Sequence, residues 1–338
     1  MLKLNVYRLR SAVWEITLAC CFSCKYCGSA GGVARENELN TEECLKVVHE
    51  LSELGCKRVS LIGGEVFMRK DWKIIVKELT DYNIRTAIIT NGFLFNDSIL
   101  KDLKEVSIES VAVSLDSIEE VHDKYRQEGS YQRALNAIDK LSEAGFTVTV
   151  ISTLNNESVK HLREFYEILK QKNIAAWQLQ ACSPMGNAAR SGIDYRFDFK
   201  EVISFVEENM DESPFAMGIA DNIGYYSESE GTLRGNRNSC YSGCRAGLSV
   251  IGIDSIGNVR GCESMYDEEF IEGNLREMSL SDIWNNPDAF SYNRKFNAKM
   301  LTGKCAECEY GRFCAGGCRS YNYFVHGKLY ESPACVRK

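Results

Sequence analysis

The sequence predicts an α/β chain in which a partial, TIM-like (β/α)6 barrel is followed by a loop-rich C-terminal segment that needs crosslinks to hold its fold. Three observations carry this reading. Short β-branched runs alternate with segments of helical period through the first half of the chain, the units are even in length, and the cysteines crowd towards the two ends. Alternation of this kind implies right-handed crossovers and a parallel sheet. Short strands in even units favour an incomplete barrel over an open doubly wound sheet, although the pattern itself admits both.

Strands are expected at 13–18, 58–62, 85–90, 110–115 and 147–153, which carry Val, Ile or Thr, and at 176–180. The first helix, 41–54, is entered through Asn40 with Glu43 three residues on, a capping pair, and is left through Gly55. Further helices are expected at 72–80, 97–104, 131–144 with Gly145 at its exit, 159–171 and 199–208. Residues 1–195 are therefore assigned to the barrel. Residues 196–239, which end in the Gly/Ser/Asn-rich run SESEGTLRGNRNS, form a bridge, and 240–338 form the C-terminal domain. That last segment carries eight cysteines but too little apolar periodicity for a core of its own, a composition that usually requires metal. Leu248 to Arg260 reads as a β-hairpin turning near Asp254 to Gly257, which would bring Cys262 to the end of its second strand.

Length and charge narrow the partners. At roughly 100–200 residues per domain, 338 residues make about two domains. With 40 basic against 47 acidic side chains, the net charge of −7 offers no field to attract nucleic acid. No run approaches ~18 apolar residues, and the N-terminus has charges where a signal peptide needs an apolar stretch. A cytoplasmic location with no membrane partner is expected. In a reducing cytosol the fifteen cysteines are metal ligands, nucleophiles or buried small residues instead of disulfides. None of the four histidines lies in a cysteine cluster, which disfavours a mixed Cys/His zinc site.

The first chemistry-bearing constellation is CCFSCKYC, in which Cys20, Cys24 and Cys27 follow the first strand at C-x3-C-x2-C spacing. Three thiolates on one tight loop can hold three irons of a 4Fe-4S cube and leave the fourth open to a ligand; a zinc loop is the competing reading. Cys21 is adjacent to Cys20 and would point away if Cys20 ligates. Cys44 and Cys56 read as buried small residues on or beside a helix.

With Tyr26 before the last of these cysteines, Gly63, Gly64 and Glu65 after the second strand, Thr90, Asn91 and Gly92 after the third, and Ser114, Leu115 and Asp116 on the fourth, the chain resembles the radical S-adenosylmethionine (SAM) superfamily. The match covers residues 13–185 and falls at strand ends, where a barrel keeps its active site. The resemblance implies a cluster-bound SAM that is reductively cleaved to methionine and a 5′-deoxyadenosyl radical, with an electron from a flavodoxin- or ferredoxin-type reductant. On this reading the glycines let the backbone approach the methionine end of SAM and Glu65 accepts from its ammonium group. Ser114 and Asp116 serve the ribose or orient the loop, Arg126 holds the carboxylate, and Tyr26 presents its backbone near adenine. A solvated helix arginine, a strand-end turn and simple packing are the plainer alternatives for Arg126, the Ser114/Asp116 pair and Tyr26.

The C-terminal third resembles the seven-cysteine pattern of SPASM extensions: Cys244-x12-Gly257-x4-Cys262, then Cys305-x2-Cys308-x5-Cys314-x3-Cys318, then Cys335. Such a domain implies two auxiliary 4Fe-4S clusters, making three in all. The family's crossed arrangement assigns Cys244, Cys262 and Cys318 to the first with Cys240 as fourth ligand, and Cys305, Cys308, Cys314 and Cys335 to the second. Cys240 lies outside the seven-cysteine motif, and the spacing of that ligand varies. Glu263 matches an acidic position that takes a proton in anaerobic sulfatase maturases; a surface glutamate is the alternative, and Asp221 and Asp254 are other candidate bases. Cys182, just past the sixth strand, either returns a hydrogen atom to a substrate radical or simply packs.

The resemblance implies an enzyme that oxidatively modifies or crosslinks a ribosomally made peptide. With 19 residues before Cys20, recognition of a leader is expected to need a separate protein or a groove in the barrel. Formylglycine formation on a sulfatase and modification of a small molecule such as a tetrapyrrole side chain are the enzymatic alternatives. A non-catalytic iron-sulfur carrier or a structural zinc protein is the alternative from another class.

Overall fold

The computed structural model describes residues 7–234 and 240–337. The first six residues of the N-terminal segment and the last five of the bridge, 235–239, lie outside the described residues. Ten strands form one sheet in the order β10-β9-β8-β1-β2-β3-β4-β5-β6-β7. The six expected strands are β1 (Ser11–Glu15), β2 (Arg58–Ile62), β3 (Arg85–Thr90), β4 (Ser110–Ser114), β5 (Val148–Leu154) and β6 (Ala176–Ala181), all parallel to their neighbours. Such strands are covered on both faces, so β4 is buried at its first four positions, with apolar Val111, Ala112 and Val113 between its two serines.

β1 starts and stops earlier than expected. Beyond Glu15 the chain swings into the cysteine loop, where Glu38 takes over its polar groups: its carboxylate accepts from Thr17 Oγ1 at 2.8 Å and Leu18 N at 2.6 Å. The helices α1 (Thr41–Glu53), α2 (Trp72–Asp81) and α3 (Asp97–Lys104) lie where periodicity places them. α1 carries the anticipated reciprocal cap: Asn40 accepts from Glu43 N at 3.0 Å, and Glu43 accepts from Asn40 N at 2.8 Å. A short helix, α4 (Glu119–Tyr125), follows β4 and was not legible, because seven charged and mixed residues show no apolar period. It is followed by α5 (Ser130–Glu143). The helix expected at 159–171 divides into a 3-10 turn, Ser158–His161, and α6 (Leu162–Leu169), and α7 spans Phe199–Asn209.

The larger departure is in the sheet. β7 (Ala216–Ile219), inside the stretch expected to be an irregular bridge, pairs parallel with β6. At the other edge β8 (Val250–Ile253) pairs parallel with β1, and it forms the expected hairpin with β9 (Asn258–Arg260), to which β10 (Gly273–Asn274) adds. The turn is held by Asp254, which accepts from Ile256 N and Asn258 N and pairs with Arg260 at 3.0 Å, while Gly257 takes a left-handed φ of 89°. Strand pairing thus carries the barrel sheet into the C-terminal segment. Arg276 reinforces the junction through a forked contact to Glu43 at 2.6 and 2.8 Å. Among the described residues no helix is long and apolar enough to cross a membrane.

Candidate active site

The carboxyl ends of the barrel strands open into a cavity of about 660 Å³ whose wall unites residues from both halves of the chain. Cys20, Tyr26, Cys24 and Cys27 line it together with Gly63, Gly64, Asn91, Ser114, Arg126 and Cys182, and Asp221, Cys262, Glu263 and Cys318 face the same space. Sequence positions nearly three hundred residues apart are therefore brought to one chamber by the pairing of β8 with β1.

The cysteine loop is seated by backbone contacts. Gly64 N donates to Thr17 O at 2.8 Å and Glu65 N to Ala19 O at 2.7 Å. A Cβ on Gly64 would overlap the carbonyls of Leu18 and Ala19, and one on Gly63 would lie 2.7 Å from Thr17 O. In this structure the two glycines are required first by the approach of one loop to the other, while their backbone still lines the chamber. Cys21 stands beside Cys20 in this loop. Asn91 Nδ2 lies 3.8 Å from Cys20 Sγ and 3.6 Å from Cys21 Sγ, so both thiols turn to the same amide, and the Cys20 and Cys21 thiols share a hydrogen bond. Alternation of neighbouring side chains applies to extended backbone, and this pair sits at a bend.

Glu65 is 1% exposed and its carboxylate accepts from Thr90 Oγ1 at 2.8 Å, Asn91 N at 2.8 Å and Phe67 N at 3.3 Å. It ties the second strand-end loop to the third and sets Asn91 at the chamber wall. Asp116 is likewise buried. It receives Arg126 Nε at 2.5 Å and Nη2 at 3.0 Å, the Thr153 N–H at 2.9 Å and the Tyr26 hydroxyl. Burial pushes the Asp116 carboxyl up, but the Arg126 charge and the hydrogen bonds outweigh it and hold the group well below the usual carboxylate range. Arg126 is therefore a buried, oriented cation at the end of α4, in place of a solvated helix arginine, and its guanidinium lies 5.3 Å from the Tyr26 ring centroid.

Glu263 enters from the opposite side, within reach of the Ser29 hydroxyl at 3.4 Å. Burial, reinforced by the nearby Glu15 charge, pushes its carboxyl up to about 7. Burial also raises Asp221, which lines the chamber, whereas Asp254 is spent on the hairpin turn. Cys182 is 1% exposed and its thiol is pushed up to about 12, by burial first and then by the Asp116 charge. A contribution that the sequence reading overlooked is the Pro-Met-Gly-Asn turn after Cys182. Asn187 donates to Cys27 O at 2.9 Å from its backbone and to Cys24 O at 3.0 Å from its side chain, which closes the turn over the cysteine loop. The turn composition was the available signal.

Sets of thiols suit iron-sulfur groups in donor chemistry. Cys244, Cys262 and Cys318 lie close enough that each affects the ionisation of another, and Cys305, Cys308, Cys314 and Cys335 form a second such set. The buried Tyr241 hydroxyl has no hydrogen-bond partner and faces Cys244 and Cys318, an orphan donor that a sulfur-rich group there would satisfy. Cys240 is exposed and lies against Tyr226. Among the described residues no three His, Cys, Asp or Glu side chains converge on a single ion position. The donor sets and the orphan hydroxyl together fit multi-iron groups. Replacing Cys308 with alanine is expected to lower the iron content of anaerobically loaded protein by about four and to expose the C-terminal segment to limited proteolysis, because metal and fold are linked there. Unchanged iron content would remove Cys308 from the ligand set.

Known proteins supply the comparison. Residues 14–169 match the radical SAM superfamily model, and residues 244–309 match the SPASM model, an iron-sulfur cluster-binding domain. The AdoMet-dependent heme synthase of Methanosarcina barkeri is 27% identical over 341 residues, covering 97% of this chain and 96% of that protein. The mycofactocin maturase of Mycolicibacterium smegmatis is 27% identical over 329 residues, covering 96% and 81%. The crystal structure of Streptococcus suis SuiB bound to its precursor peptide SuiA superposes with a TM-score of 0.79 at 18% identity, over 98% of this chain and 76% of SuiB, a likeness of fold.

Proposed function

The chain carries a radical SAM domain over residues 14–169 and a SPASM iron-sulfur cluster-binding domain over residues 244–309, and from that premise we propose that it oxidatively modifies a residue of a peptide held in the chamber. The observation that carries the choice of substrate is the charge of the wall. Its two basic residues among those described are both engaged, Arg58 with Glu109 at 2.5 Å and Arg126 with Asp116, while Asp221 and Glu263 add acid. A tetrapyrrole brings several carboxylates and would have to share Arg126 with the carboxylate of SAM, whereas a neutral or cationic peptide side chain meets complementary groups. A mycofactocin maturase among the relatives and the peptide-bound SuiB structure support the same reading.

Cys20, Cys24 and Cys27 would hold the SAM-binding cluster, and the two C-terminal thiol sets would hold the auxiliary clusters, with Cys240 proposed as the fourth ligand of the first. When bound, these groups and SAM supply a hydrogen-abstracting radical at one end of the chamber and a one-electron acceptor at the other. The protein positions the reactants. Arg126, forked by Asp116 and backed by Tyr26, presents a fixed cation for a carboxylate; Glu65 sets the Asn91 loop; Ser114 and the glycine backbone shape the wall. Cys182 and the Pro-Met-Gly-Asn turn keep water from the reacting centre. Loss of a hydrogen atom, a proton and an electron makes up a two-electron oxidation. Glu263 is the group proposed to take the proton.

The test separates these roles. With SAM and dithionite under anaerobic conditions, a library of short synthetic peptides is expected to raise 5′-deoxyadenosine above its uncoupled rate and to yield a product lacking two hydrogens. Turnover of an iron-coproporphyrin in place of every peptide would overturn the substrate assignment. Glu263→Gln is expected to cut product formation by about 10²–10⁴-fold while uncoupled 5′-deoxyadenosine formation persists. Equal product formation would show that another group takes the proton.

A further inference from the structure

Arg319 is the most anomalous charge in the molecule. It is 0% exposed, at the start of the helix Arg319–His326, against the neighbouring rings of Phe296 at 5.3 Å and Tyr330 at 4.6 Å. Its Nη1 donates to the carbonyls of Ala315, Gly317 at 3.4 Å and Leu329 at 3.0 Å. Nε and Nη2 are buried with no partner, which leaves three N–H donors unsatisfied, and among the described residues no carboxylate pairs with the guanidinium. A desolvated cation in that condition costs several kcal/mol unless an anion accompanies it. Stability by itself gives no reason to retain it.

The surroundings point to the anion. Ala315 and Gly317 lie in the loop between Cys314 and Cys318, and the backbone N–H of Ser332, two residues after the stacked Tyr330, donates to Cys305 Sγ at 3.4 Å. A 4Fe-4S cube on four thiolates has net negative charge that grows on reduction, and hydrogen bonds to its sulfurs and nearby charge set its potential.

We propose that Arg319 is the buried counter-cation of the cluster held by Cys305, Cys308, Cys314 and Cys335, donating its unpartnered N–H groups to that cluster's sulfur and holding its reduction potential up. The inference rests on the auxiliary-cluster reading above. Its consequence is that this cluster is the more readily reduced for the cation's presence, as an acceptor of the electron left by substrate oxidation must be. Arg319 is a positioning and tuning residue that touches neither SAM nor substrate.

The experiment is an EPR-monitored redox titration of the reconstituted full-length protein, comparing the wild type with Arg319→Met, which keeps length and apolar stacking, and Arg319→Lys, which keeps the charge. Arg319→Met is expected to disfavour the reduced form of this cluster by at least about tenfold at a given potential, a midpoint lower by about 59 mV for one electron, with Arg319→Lys closer to the wild type. An unchanged midpoint at full iron content, or equal shifts in the two variants, overturns the proposal. If Arg319→Met does not load, wild-type protein labelled with 15N-arginine decides. A nitrogen hyperfine coupling in this cluster's signal, lost in Arg319→Lys, supports the proposal, and its absence overturns it. Wild-type protein that binds only about four irons would instead overturn the underlying cluster assignment, an outcome separate from a loaded cluster with an indifferent arginine.

Discussion

Protein in which Cys20, Cys24 and Cys27 are all replaced by alanine is expected to form no 5′-deoxyadenosine from SAM and dithionite above the protein-free background, while retaining about eight of about twelve irons. The three thiols are the only cysteines of the chamber wall that lie on the first strand-end loop, and a cluster with one iron unligated by protein is what makes SAM cleavage possible. The triple variant is preferred because of Cys21. Its thiol is hydrogen-bonded to that of Cys20 and shares the Asn91 amide, so after Cys20→Ala alone a second sulfur stands beside the vacated position. Iron analysis and chromatography of the reaction read both quantities. Surviving cleavage in the triple variant would mean that the chemistry resides elsewhere; loss of all iron would mean that the three clusters do not load independently.

The second large effect is expected at Asp116. Asp116→Asn leaves the Arg126 guanidinium, with only 10% of its side chain exposed, without its counter-charge, a change that typically costs about 3–5 kcal/mol when one partner of a buried pair is removed. Asparagine keeps the size of the side chain and one acceptor oxygen, which can serve Thr153 N or the Tyr26 hydroxyl but not both, so the variant removes the charge and one of these bonds. Urea unfolding should show the loss as a lowered midpoint at constant slope, and SAM binding should weaken because Arg126 is no longer held in one orientation. The pH dependence has a definite sign. The folded carboxyl is held below its ordinary value, so it contributes stability above an unfolded pKa of about 3.9, and that contribution declines as pH falls below this value towards the folded pKa. Wild-type protein should therefore lose more stability than Asp116→Asn between about pH 5 and pH 2. Parallel loss in the two proteins would show that the pair is not coupled as drawn.

Much of the chamber was legible because its signals are local. A tight cysteine spacing, a glycine pair after a strand and an Asn-Gly turn are properties of a few adjacent residues, and backbone preference together with hydrophobic period dictates them wherever they occur. The places where reading failed share a different character. That the Cys21 thiol turns to the same amide as the Cys20 thiol was not foreseen, because the pair sits at a bend. Gly63 and Gly64 were read as space for a ligand, and that their missing Cβ atoms also accommodate the backbone of Thr17 to Ala19 was not foreseen. β7 was hidden because Ala216–Ile219 has only four residues and becomes a strand by pairing with β6.

By itself, then, the sequence determined the order of the first six strands and of the longer helices between them, the three groups of thiols and the positions of the glycine, asparagine and aspartate motifs at strand ends. Each depends on contacts within a short span of chain. The tertiary structure decided that β8 lies against β1, that Glu263 looks across at Ser29, that Arg126 is oriented by Asp116 and that Arg319 is buried without a carboxylate. Those relations set burial and pairing between residues distant in sequence, and the energy of a charge depends on the groups that surround it in space, which local pattern does not encode.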